Sequence, residues 1–176
     1  AASQTGIGLT HLPVLYSYGG AGKQALAGGQ LRFGNDLDSF AGLHGACKKL
    51  AHEDTVVGLA PHSLRATAPD ELQQALKLVG QAPVHIHIAE QVKEVEDIQA
   101  WLGARPVEWL TANCAVNTLW CAIHATHMTA GETKALAATG AVAGLCPITE
   151  ANLGDGAFDG PGWIAANGHF GVGSDS

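Results

Sequence analysis

The sequence predicts an α/β fold built from right-handed parallel β/α units. Three observations predict it. Six apolar, strand-length runs recur along the chain, most of them nearly continuous in hydrophobicity, as strands covered on both faces are. Stretches with helical spacing and readable ends lie between them. Polar, titratable side chains gather just past the C-terminal ends of successive runs.

The runs are Gly6–Leu15, Thr55–Ala60, Pro83–Ile88, Leu119–His124, Ala141–Leu145 and Phe170–Gly173. Thr67-Ala-Pro-Asp introduces a helix over Glu71–Val79, with Leu72, Ala75, Leu76 and Val79 at helical spacing. Over Glu94–Leu102 the residues Val95, Ile98 and Leu102 form one stripe, and Gly103 supplies a stop. Thr129-Ala-Gly-Glu132 matches a capping box that opens a helix ending near Gly140. Gly19–Gly29 and Gly154–Gly162 read as long loops.

Composition narrows the function classes. The chain has 176 residues, 47% apolar and 14% charged, with a net charge of −7. Apolar surface is ample, so disorder is excluded. No basic cluster exceeds Lys48-Lys49, which argues against nucleic acid as a partner. No apolar run approaches the roughly 20 residues of a membrane span, so no membrane partner is expected either. Cys47, Cys114, Cys121 and Cys146 form no CxxC pair, which points to a reducing, cytoplasmic compartment and thiols used as small apolar residues. The absence of an initiator Met and the bare end at Gly173-Ser-Asp175-Ser lead us to expect a piece of a longer protein.

Six strands with intervening helices could form an open sheet or most of a (β/α)8 barrel. The reactive residues favour the barrel. His62 and Arg65 follow the second run, His87 and Glu90 end the third, and His124 ends the fourth; Thr149, Glu150 and Asn152 follow the fifth and Asp175 the sixth. A barrel brings such strand ends to one mouth, whereas an open sheet strings them along an edge.

His85 and His87 are two apart, so on a strand they face the same way and could hold a divalent metal; two core histidines are an equal alternative. Glu90 could do acid/base work or merely open a helix. His124 ends its strand proper, while His127 belongs to the loop beyond. Asp175 could bind metal and take a proton from water, or be an ordinary turn residue. None is decisive alone. Trp109 and Trp120 are expected to pack against helices.

The combination of His, Glu three later, His at the next strand end and Asp after the last strand is the pattern of the amidohydrolase superfamily, in its one-metal deaminase branch. From Gly6 to Ser176 the chain resembles the formimidoylglutamate deiminase family within it, through GIGLTHLPVLYS, HSLRA, PVHIHIAEQ, RPVEWL, WCAIHATH, GAVAGLCPITEANLGDG and GVGSDS. The resemblance implies one partial TIM-type barrel domain over residues 1–176, carrying strands three to eight. It implies His87 and Asp175 as metal ligands, Glu90 as proton shuttle, and His124 as the residue that orients or polarises the attacking water. His62 and Arg65 would bind substrate, Arg65 through bidentate bonds to a carboxylate, with Arg32 a weaker choice. One divalent metal is implied, Zn²⁺ with Fe²⁺ or Mn²⁺ as alternatives.

The implied reaction is deimination of N-formimino-L-glutamate to N-formyl-L-glutamate and ammonia in histidine degradation. The expected partners are a small formimino amino acid and a second copy in a homodimer. The family's first-strand HxH has no counterpart in these residues, so weak Zn²⁺ binding and no turnover are expected of them alone. Two rivals stand beside this reading. One is a guanine, cytosine or triazine type deaminase with the same catalytic set. The other is a catalytically silent small-molecule-binding module.

Overall fold

The computed structural model describes residues 2–175. It is an α/β fold of short parallel strands and helices that divides into two compact units, Ala1–His85 and Ile86–Ser176.

The first unit opens with a short helix α1 (Ala2–Thr5) and then a run interrupted into β1 (Leu9–His11) and β2 (Val14–Leu15). A 3-10 turn (Gly28–Arg32) and helix α2 (Leu37–Leu50) follow, then β3 (Thr55–Val57), β4 (Ala60–Pro61) and helix α3 (Pro69–Val79). The two expected strands are therefore each broken. β1 pairs with β3 and β2 with β4, both parallel, and the register Leu9↔Thr55 continues unchanged as Val14↔Ala60. The break is a missing donor rather than a slip: Pro13 has no N–H, while Gly58 and Ala60 still donate to His11 and Pro13 carbonyls at 2.9 Å. Gly58 has a reason to be glycine, since a Cβ there would sit 2.2 Å from the Pro83 carbonyl oxygen. Leu59, between these donors, faces the other way and pairs with Val84.

Helix α3 starts two residues before the expected Glu71. Pro69 occupies the first turn, where its missing N–H costs nothing, and Glu71 Oε2 accepts the Ala68 N–H at 3.3 Å. Helix α2 is a correction, because none was expected there. Its Asp36 cap accepts the Ser39 N–H at 2.8 Å, and it buries Phe40 and His44. Leu15, Leu59, Leu64 and Leu72 complete this core with Phe40, each fully buried and each contributing about 1.5–3 kcal/mol by leaving water.

Strand β5 (Val84–Ile88) crosses the division between units. The second unit then runs α4 (Val92–Leu102), α5 (Pro106–Asn113), β6 (Trp120–His124), α6 (Ala130–Ala138), β7 (Val142–Leu145), α7 (Pro147–Leu153), α8 (Gly160–Ala165) and β8 (His169–Val172). Its sheet has the order β5-β6-β7-β8, so each successive strand joins beside the last. Gly103 takes φ +74 at the end of α4, as a glycine stop does. The Thr129 capping box forms on both sides: Thr129 Oγ1 accepts from Glu132 N at 3.2 Å, and Glu132 Oε2 accepts from Thr129 N at 2.8 Å. Helices α5, α7 and α8 are further corrections, α8 beginning inside the stretch Gly154–Gly162 read as a loop and running past its end. Trp163 of α8 is fully buried and donates its indole N–H to the His169 carbonyl at 3.0 Å. Trp120 is buried as expected.

Candidate active site

The site of the second unit is built where β5, β6 and β7 end. Ile86 and Ile88 of β5 are buried, and His87 between them shows its ring on the opposite face, half-buried. Just beyond, Ala89 takes φ +52, a conformation that non-glycine residues seldom adopt. Glu94, in the first turn of α4, holds that turn in place. Its two carboxylate oxygens accept the Ala89 N–H at 3.0 Å and the Glu90 N–H at 2.9 Å, and the residue is 1% exposed.

His124 closes β6 and is also buried, with φ +68, a backbone conformation that non-glycine residues seldom adopt. The ring of His87 stacks on it, centroids 5.5 Å apart and planes 29° from parallel. His124 Nδ1 lies 3.1 Å from Glu150 Oε1 of α7. A carboxylate in that position pairs with the tautomer that carries its hydrogen on Nδ1, and Nε2 is turned to the other side of the ring. Nε2 faces Glu90 Oε1 at 3.5 Å and Asp175 Oδ2 at 4.0 Å. Those gaps suit a small polar molecule bridging the groups.

Three carboxylates thus surround one imidazole. Cys146, at the end of β7, feels them: burial pushes its thiol up, and the charges of Asp175, Glu150 and Glu90 push it further. Cys121 of β6 is pushed up to about 11, chiefly by burial. Both sulfurs therefore stay protonated near neutral pH, in keeping with thiols used as apolar groups. The imidazole of His87 and the carboxylate of Asp175, both set around His124, supply nitrogen and oxygen donors that suit a borderline divalent cation such as Zn²⁺.

The amidohydrolase family model matches residues 35–176. This chain belongs to the amidohydrolase family. Over its whole length it is 50% identical to formimidoylglutamate deiminase of Pseudomonas aeruginosa, and spans 39% of that relative. Among solved structures, an amidohydrolase from Brucella melitensis is 56% identical, with a TM-score of 0.94 over 99% of this chain and 39% of that one. An adenosine deaminase from Xanthomonas campestris with bound zinc shares the fold at a TM-score of 0.82 and 22% identity, covering 99% of this chain and 38% of its own. The fold is accordingly part of an amidohydrolase TIM barrel.

Of the residues singled out in this amidohydrolase sequence, Glu90, His124 and Asp175 come together around one imidazole nitrogen, and His87 lies against the same ring. His62 and Arg65 belong to the first unit. There His62 Nδ1 is 3.1 Å from Ser63 Oγ, and its ring meets Tyr16 edge-on at 4.5 Å. His85 shares the half-buried face of β5 with His87, as the spacing of two requires, and burial pushes its imidazole down. His127 does belong to the loop. Its Nε2 lies 2.6 Å from the Asp155 carbonyl, while its own carbonyl accepts from Arg105 Nη2 at 2.6 Å. Sequence reasoning missed Glu94 and did not assign Glu150. A carboxylate in the first turn of a short helix right after a strand-end histidine or cysteine was the available signal for both.

Proposed function

We propose that the protein containing this chain hydrolyses N-formimino-L-glutamate to N-formyl-L-glutamate and ammonia. The observation that carries the reading is the setting of His124 Nε2, 3.5 Å from Glu90 and 4.0 Å from Asp175, in a chain 50% identical to a formimidoylglutamate deiminase. His87 and Asp175 are the residues proposed to hold one divalent ion, with Zn²⁺ favoured by this donor pair. When bound, such an ion supplies Lewis acidity and a water whose pKa falls toward about 7.

The chain's own residues then divide the proton work. Asp175 accepts a proton from the attacking water, and His124, its tautomer held by Glu150, orients that water through Nε2. As the water oxygen bonds to the formimino carbon, the carbon–nitrogen double bond opens. Glu90 passes the proton taken from the water to the terminal nitrogen, leaving an amine on a tetrahedral carbon. The remaining hydroxyl proton follows through Asp175 and Glu90 to the same nitrogen, so the C–N bond breaks with neutral ammonia leaving and the carbon keeps the oxygen as a formyl group. His62 and Arg65 are proposed to bind the substrate, on the resemblance of the segment HSLRA. Arg65 suits one of the two carboxylates because a guanidinium binds it with two parallel hydrogen bonds.

The proposed partner is this small molecule. Association as a homodimer and a cytoplasmic location are proposed with it, the latter from four free cysteines. No helix among the described residues is long and apolar enough to cross a membrane. The test is ammonia release by the full protein, assayed in parallel with formiminoglutamate and guanine. Turnover of formiminoglutamate at least about 10²-fold faster supports the reading; preference for guanine overturns it.

A further inference from the structure

Cys146 has no role in the deimination described above, yet its thiol is drawn to the reacting groups. Its Sγ, a ring nitrogen of His124 and a carboxylate oxygen of Asp175 all lie within 4.8 Å of one another. His124 and Cys146 are buried, and the Asp175 side chain is 30% exposed. Glu150 already engages Nδ1 of His124, so Nε2 is the nitrogen turned toward Asp175.

We propose that His124, Cys146 and Asp175 form a soft-cation site that takes one thiophilic divalent ion, Cd²⁺ or excess Zn²⁺, and thereby silences the reaction. The donor set is imidazole nitrogen, thiolate sulfur and carboxylate oxygen. Thiolate and carboxylate together neutralise a divalent charge, and sulfur selects a soft metal. Tetrahedral bonds of about 2.0–2.3 Å place ligand atoms about 3.5 Å apart, which side-chain rotation reaches from the spacing observed. The metal–sulfur bond forms as the thiol proton leaves to water, and no oxidant or reductant is needed. An ion seated there occupies Nε2 of His124 and contends with the ion assigned to His87 for Asp175. Excess metal therefore lowers activity. This last consequence rests on the proposed function; the site itself does not involve His87.

The test is a titration of the protein with Cd²⁺, followed through the near-ultraviolet thiolate-to-cadmium absorption band, with each variant first checked by circular dichroism. The expected result is one equivalent bound. The band disappears in Cys146→Ser and in Cys146→Ala, and persists in Cys47→Ser and in His87→Ala. Binding weakens at least tenfold in Asp175→Asn and in His124→Gln. Cadmium NMR of the unsubstituted protein shows a single sulfur ligand, which keeps the proposal testable should a Cys146 variant misfold. Absence of the band, its survival without Cys146, or indifference to Asp175→Asn overturns the proposal. Loss of the band in His87→Ala also overturns it, because the ion would then belong to the site proposed for hydrolysis.

Discussion

Nδ1 of His124 and Oε1 of Glu150 lie 3.1 Å apart, and the same carboxylate oxygen accepts the Cys146 N–H at 2.8 Å. One buried side chain thus fixes both the tautomer of the histidine and the backbone turn that follows β7. Glu150→Gln keeps the shape and removes the charge that specifies which ring nitrogen carries hydrogen. The expected outcome is a fall in kcat of about 10²-fold or more with KM little changed, read from steady-state ammonia release.

Glu90 is asked to deliver a proton to the departing nitrogen. Glu90→Gln leaves a group that cannot exchange a proton, so kcat falls by about 10²–10⁴-fold, the usual contribution of acid/base catalysis. A pre-steady-state assay that shows the C–N bond still breaking at the original rate contradicts that role.

Glu94 has a different task, since it holds the Ala89 and Glu90 N–H groups in a turn with φ +52 at Ala89. In Glu94→Ala the buried Ala89 N–H loses its acceptor, at about 1–3 kcal/mol, and the half-buried Glu90 N–H loses its own at about 1 kcal/mol. Urea unfolding should register a loss of about 2–4 kcal/mol. Hydrogen exchange of those two amides should accelerate while that of β6 stays slow.

Removing divalent metal by dialysis against a chelator should abolish ammonia release, and added Zn²⁺ should restore it. His87→Ala should not recover at stoichiometric Zn²⁺. Full activity in metal-free protein, confirmed by elemental analysis, contradicts the assignment.

His44 of α2 gives a pH dependence that is independent of the site. Burial lowers its imidazole from the ordinary value of 6.5, and the charge of Lys48, one turn on, lowers it further. Nε2 is buried without a hydrogen-bond partner. The unfolded chain therefore binds a proton at higher pH than the folded one. Its contribution to stability is present above about pH 6.5 and is lost as pH falls below that. Unfolding midpoints at pH 7.5 and 5.5 should differ by less in His44→Leu than in the parent protein.

The barrel strands were legible because buried parallel strands must be apolar on both faces: every one of the six runs holds strand. What hid the breaks in the first two was that Pro13 and Gly58 interrupt a ladder without changing hydrophobicity. Helix α2 escaped notice because Gly42 and Gly45 dilute its apolar stripe, although Asp36 and Ser39 form a readable cap. Helices α5 and α7 announce themselves only by a proline in the first turn, a signal that loops share.

Sequence alone determined the residue types and their place at strand ends, since alternation, capping and hydrophobic runs are local properties. Only tertiary structure decided which of those ends meet. Glu94 and Glu150 look like ordinary helix charges in the sequence; they matter because folding buries each against specific N–H groups that have no other acceptor. The pairing of His124 with Glu90, Asp175 and Cys146 joins residues up to 85 positions apart. Such closeness depends on how three β/α connections return the chain, which no local pattern encodes.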